Sequence, residues 1–81
     1  MDKVRKQLLK VPAKDRKRIL AVYEKVLANK LTGLDIRKMK GSQTIFRVRI
    51  GDYRVIYQQL SSTRNVIIAV MKRDDQTYRN F

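Results

Sequence analysis

The chain has 81 residues, with 20 Lys and Arg against 7 Asp and Glu for a formal net charge of +13, and it contains neither cysteine nor histidine. That length allows one small domain, residues 1–81, with a thin core, since chains of this size bury only roughly 60% of their unfolded surface. Disulfides, thiolate metal sites and the usual histidine general base are excluded, which argues against metal catalysis, and the charge calls for a polyanion such as nucleic acid or for an acidic protein. No apolar run is long enough to span a bilayer, and the basic N-terminus lacks a continuous apolar core, so the expectation is a cytoplasmic chain without a membrane partner.

From Asp2 to about Lys10 the apolar residues Val4, Leu8 and Val11 fall near helical spacing, with Asp2 able to cap the start. Pro12 suits the first turn of a second helix, which is predicted to run to about Asn29 on an apolar stripe of Ile19, Leu20, Tyr23, Val26 and Leu27. The two make a helical hairpin. Its outward face carries Lys14, Lys17, Arg18 and Lys25, expected to solubilise rather than to bind. Gly33 is the expected C-cap, after which Asp35 to Gly41 leads as an extended segment towards a turn at Gly41-Ser42.

The stretch from Phe46 to Gln58 carries the most information. Strand side chains alternate, so Phe46, Val48 and Ile50 share one face and Arg47 and Arg49 the other. Gly51-Asp52 reads as a two-residue turn with Gly first, which pairs Ile50 with Tyr53 and Arg49 with Arg54 on common sides of a hairpin. Three guanidiniums therefore gather on one surface with no acidic residue between them. Two readings fit that pattern: a solvated polar sheet face, or a site for anions.

Beyond it, Val66 to Met71 is apolar on both sides, as expected of an inner strand. A four-residue turn at Ser61 to Arg64 would pair Leu60 with Asn65, Tyr57 with Ile68 and Val55 with Val70, and set Arg54 beside Met71. If the strand continues, Arg73 points to the open side as well; small Ala69 leaves room there for a ligand, and the segment that carries Tyr78 could fold back over that face or pack the ring on the sheet edge.

The order basic helical hairpin, Met39-Lys40-Gly41, Phe46-Arg-Val-Arg-Ile-Gly-Asp-Tyr-Arg-Val-Ile-Tyr57, an apolar strand and then Lys72-Arg73 with Tyr78-Arg79 resembles the RelE branch of the RelE/ParE toxin superfamily over nearly the whole chain. The resemblance implies an α+β fold, with an N-terminal helical hairpin packed on a small twisted antiparallel sheet. It implies a metal-independent endoribonuclease, the toxin of a toxin–antitoxin pair, that cuts messenger RNA in the ribosomal A site. Its partners would then be the ribosome, mRNA and a cognate antitoxin. Carried over by position, the family's catalytic residues fall on Arg47, Arg49, Arg54, Arg73 and Tyr78, and Lys38, Lys40, Lys72 and Arg79 are expected to contact RNA.

The chain departs from that pattern in three respects. The strand that usually precedes the first helix is missing, which would bare a sheet edge and invite homodimerisation or strand addition. Arginines replace the lysines that some relatives have at positions 47 and 49, and neither can serve as a general base. The spacing from Arg73 to Tyr78 is variable in the family, so the assignment of Tyr78 is the least specific.

The implied chemistry is in-line attack of the RNA 2′-hydroxyl on the adjacent phosphorus, with expulsion of the next 5′-oxygen. Arg54 and Arg73 would hold the scissile phosphate, Arg47 and Arg49 its neighbours, and Tyr78 would stack on a base or accept a proton. Without histidine or a glutamate base such a site depends on substrate presentation, so ribosome-bound mRNA is the expected substrate. A gyrase-directed ParE-like toxin, a non-catalytic basic nucleic-acid-binding module, and an inactive truncated toxin are the competing readings.

Overall fold

Val4 and Val11 are buried and Leu8 is packed against them, and that spacing fixes helix α1 (Asp2–Leu9) against the sheet in the computed structural model, which describes residues 2–72. The last carbonyls of a helix lack internal partners. Here Arg16 supplies them: its Nε donates to the Leu8 carbonyl at 3.0 Å, and one terminal nitrogen donates to the carbonyls of Leu9 at 3.3 Å and Val11 at 2.9 Å. A cation at that end also complements the helix dipole.

Pro12 stands at the N-cap of helix α2 (Ala13–Leu27), one position outside the helix rather than within its first turn. Ile19 and Val26 are fully buried, with Val22 and Tyr23 packed beside them, whereas Leu20 and Leu27 remain 40% and 45% exposed. The buried stripe is therefore narrower than the sequence suggests. Residues 20 and 27 sit about 100° around the helix from residues 19 and 26, just past the contact line.

Asn29, not Gly33, terminates α2. Asn29 adopts φ 57°, its N–H donates to the Val26 carbonyl at 3.0 Å, and the Lys30 N–H donates to the Lys25 carbonyl at 2.8 Å. This is the Schellman pattern, with asparagine in the left-handed position that glycine more often takes. The side chain gives a reason for the choice: Asn29 Nδ2 donates to the Ser62 carbonyl at 3.0 Å, and its Oδ1 accepts from Asn65 Nδ2 at 3.2 Å. Asn65, buried at 4% exposure, also donates to the Val26 carbonyl at 2.9 Å, tying the helix end to the sheet.

The sheet has four antiparallel strands in the order β1 (Asp35–Lys38), β2 (Ile45–Ile50), β3 (Tyr53–Ser61) and β4 (Arg64–Lys72). Gly51 has φ 56° at the first central position of the β2–β3 turn, and the register is the one that turn demands: Ile50 opposite Tyr53, Arg49 opposite Arg54. Arg54 opposite Met71 and Val55 opposite Val70 also follow the sequence reading.

The β3–β4 pairing then departs from it. The turn is tighter, with Ser61 opposite Arg64, and two irregularities shift the register so that Gln59 faces Asn65 and Tyr57 faces Ile67 rather than Ile68. Leu60 is left without an opposite residue on one strand and Ile68 on the other, each as the extra residue of a bulge.

The strand β4 is apolar on both sides yet lies at the sheet edge, not inside the sheet. Both of its faces are covered. On one, α1 and α2 close a core of Ile19, Val26, Val48, Ile50, Tyr53, Val55, Tyr57 and Val70, with Phe46 stacked on Tyr57 at 5.4 Å between ring centres. On the other, Met39, Ile56, Ala69 and Met71 form a second apolar cluster with Ile45 and Ile68. Ala69 is fully buried there, so it does not open space for a ligand. At the outer edge of β4 the Val70 N–H donates to Gln7 Oε1 at 2.7 Å. That side chain occupies one of the backbone donors of the sheet edge.

Candidate nucleic-acid interface

Side-chain alternation and register assign the arginines of the sheet to one face. In β2 the core takes Val48 and Ile50, which leaves Arg47 and Arg49 on the opposite side. Arg54 lies directly across from Arg49, and the adjoining strand β1 sets Asp35 across from Arg49 and Arg37 across from Arg47. Two transverse rows result. One runs Asp35, Arg49, Arg54, Met71; the other runs Arg37, Arg47, Ile56, Ala69. The apolar cluster thus forms one end of each row and the charged groups the other.

Asp35, Arg37, Arg47, Arg49 and Arg54 line a pocket of about 190 Å³. Arg47 and Arg54 are half-buried, while Arg37, Arg49 and Asp35 are exposed. Among the described residues four guanidiniums and one carboxylate line the pocket, and two of the cross-strand pairs, Arg37 with Arg47 and Arg49 with Arg54, set like charges opposite each other. Such pairs are destabilising in an empty site and become favourable when an anion sits between them. A guanidinium offers hydrogen-bond donors and no acceptor, so the four arginines suit the binding of negative charge rather than the role of a base.

The structure brings together three of the five expected catalytic residues, Arg47, Arg49 and Arg54. Arg73, Tyr78 and Arg79 lie outside the described residues. Lys38 and Lys72 are opposite Phe46 and Tyr53, which places them on the helix-packed side and away from the pocket, and Lys40 is exposed in the β1–β2 loop. Arg37 and Asp35, which the sequence reading did not single out, line the pocket. The signal was present: with Ile36 packed against the core, its neighbours on either side must face the other way.

A second pocket of about 310 Å³ lies between α1 and β4, lined by Gln7, Lys10, Val11, Tyr53, Val70, Met71 and Lys72. It is larger but offers only two lysines, and its Gln7 is already bound to the backbone of β4. Tyr57, whose phenol is pushed above its ordinary value of 10.0 by burial, lies on the helix-packed face and is not a candidate base.

Comparison with known proteins agrees with this architecture. Residues 1–77 match a family model described as the ParE toxin of the type II toxin–antitoxin system parDE. A curated protein of Methanocaldococcus jannaschii named as the toxin RelE1 is 34% identical over 80 residues, covering 96% of this chain and 89% of that one. A crystal structure of the RelB–RelE antitoxin–toxin complex from Methanococcus jannaschii superposes with a TM-score of 0.73 at 32% identity, covering 96% of this chain and 92% of the matched one.

Proposed function

The chain belongs to the RelE/ParE superfamily and is a toxin of a toxin–antitoxin system, and on that premise we propose that it is a metal-independent endoribonuclease that cleaves mRNA on the ribosome. The observation that carries the proposal is the convergence of Arg47, Arg49 and Arg54 on one pocket of the sheet. In-line attack by a 2′-hydroxyl places added negative charge on the phosphoryl oxygens, and Arg54 with Arg49 beside it is arranged to stabilise that charge bidentately. Arg73 would extend this grip. Tyr78 would stack on a base or take the 2′-hydroxyl proton, and the product would end in a cyclic 2′,3′-phosphate.

A site built mainly on donor-only guanidiniums depends on having its substrate held in line, and on this reading the ribosome supplies that ordering. The partner that restrains the activity is a cognate antitoxin. A peptide bearing carboxylates over the arginine pocket would neutralise its excess charge and exclude RNA at the same time.

Cleavage of ribosome-bound and naked mRNA measured side by side tests the reading. Faster cutting on the ribosome supports it, and equal rates defeat the dependence on presentation. The description of the matching family model favours one alternative, a gyrase-directed toxin. Inhibition of gyrase supercoiling with intact mRNA would establish that alternative instead.

A further inference from the structure

The pocket has one guanidinium more than the carried-over catalytic set accounts for within the described residues. Arg37 projects from β1 directly opposite Arg47, on the face that Arg49 and Arg54 share. Its register makes the four arginines two pairs rather than a loose cluster. Arg49 with Arg54 forms one pair, Arg37 with Arg47 the other.

The spacing of the pairs has a chemical meaning. Same-face residues along a strand repeat at about 6.8 Å, twice the rise per residue, and adjacent strands lie about 4.8 Å apart. The members of each pair are thus close enough to share one phosphate, while the centres of the two pairs, offset by two residues along the strands and by one strand across them, lie about 8 Å apart, a gap that long arginine side chains close to the step between successive phosphates of an extended single strand. Arg37 faces Arg47 as a like charge, a cost that a bound anion would reverse there. The two pairs differ in surroundings as well. Asp35 stands at the end of the Arg49–Arg54 row, whereas the Arg37–Arg47 row ends on uncharged Ile56 and Ala69 and carries no carboxylate.

We infer that Arg37 is a substrate-binding residue that, with Arg47, grips the phosphate adjacent to the one held by Arg49 and Arg54, so that the site reads two consecutive phosphates of the RNA backbone. The inference rests on the proposed ribonuclease function and adds a second anchoring point to it. Arg37 is exposed, so its replacement leaves the core intact.

The test is single-turnover cleavage of a short mRNA on programmed ribosomes, comparing the wild type with Arg37→Ala, Arg37→Lys and Arg54→Ala. Each enzyme acts on three substrates: the native mRNA, and two in which an uncharged methylphosphonate replaces the linkage on one or the other side of the scissile phosphate. On native mRNA Arg37→Ala is expected to lower the rate about tenfold, the loss of one charge-assisted contact, with Arg37→Lys falling between it and the wild type. On one of the two methylphosphonate substrates the wild type should slow to the rate of Arg37→Ala, because the phosphate charge that Arg37 contacts is gone.

An Arg37→Ala defect of the same size on all three substrates, or no defect on native mRNA, overturns the inference. Failure of the wild type to cut native mRNA, or an Arg54→Ala variant as fast as the wild type, instead overturns the ribonuclease reading on which the inference rests.

Discussion

Replacing Arg47 by Gln should make the free protein more stable while disarming it. Arg47 faces Arg37 across the β1–β2 ladder, and Gln retains much of the aliphatic stem while removing the charge. Two unit charges about 6 Å apart repel by about 0.7 kcal/mol in water and about 3 kcal/mol at the effective dielectric near a protein surface. Arg37 is exposed and Arg47 only half-buried, which pulls the value towards the lower figure, in keeping with the roughly 0.2–1 kcal/mol measured for cross-strand charge pairs. A gain of about 0.5–1 kcal/mol follows, or about 3–6 °C in melting temperature for a domain of this size. Thermal or urea unfolding at low salt and at 1 M salt is the assay. The gain should appear at low salt and vanish at high salt, where the screening length falls to about 3 Å, while growth arrest by the variant weakens. A variant less stable than the wild type, or a gain indifferent to salt, would refute the view that these arginines are held together at a cost for the sake of an anion.

Three further outcomes test the scaffold. Arg16→Ala strips the carbonyls of Leu8, Leu9 and Val11 of their donor and should cost about 2 kcal/mol in urea unfolding, with Arg16→Lys intermediate. Asn65→Asp should be more destabilising than Asn65→Ala, itself about 2 kcal/mol, because a carboxylate would face the Val26 carbonyl at the negative end of α2; calorimetry that reversed the order would contradict the assigned bond. The phenol of Tyr57 is raised by burial, so the folded state holds its proton more tightly than the unfolded chain does. The associated stability is fully present below the unfolded value of 10.0 and is lost as pH rises through the higher folded value. Melting curves from pH 8 to pH 11 should therefore fall more steeply for the wild type than for Tyr57→Phe.

The arginine face of the central hairpin was legible because the Gly51-Asp52 turn fixes its register, and once Ile50 pairs with Tyr53 the positions of Arg49 and Arg54 follow. The β3–β4 hairpin was not, because the bulges at Leu60 and Ile68 leave no mark in composition and each shifts the pairing by one residue. Asn29 was passed over for Gly33 because glycine is the commoner left-handed residue, and only the fold shows that the Asn29 side chain is needed to meet Ser62 and Asn65. The apolar character of β4 suggested an inner strand, since pattern alone does not distinguish a strand covered on both faces from one flanked on both edges. Arg37 went unnoticed because the segment around it read as a lead-in to the hairpin, and four residues are too short for alternation to announce a strand.

The proposed RNA chemistry is tested most directly by mapping the ends of mRNA cut on programmed ribosomes by the wild type and by Arg54→Ala. The account predicts fragments ending in a cyclic 2′,3′-phosphate for the wild type and a rate roughly a hundredfold lower for the variant, the scale of losing one donor to a developing anion. Intact mRNA with the wild type, or equal cleavage by both proteins, would contradict it.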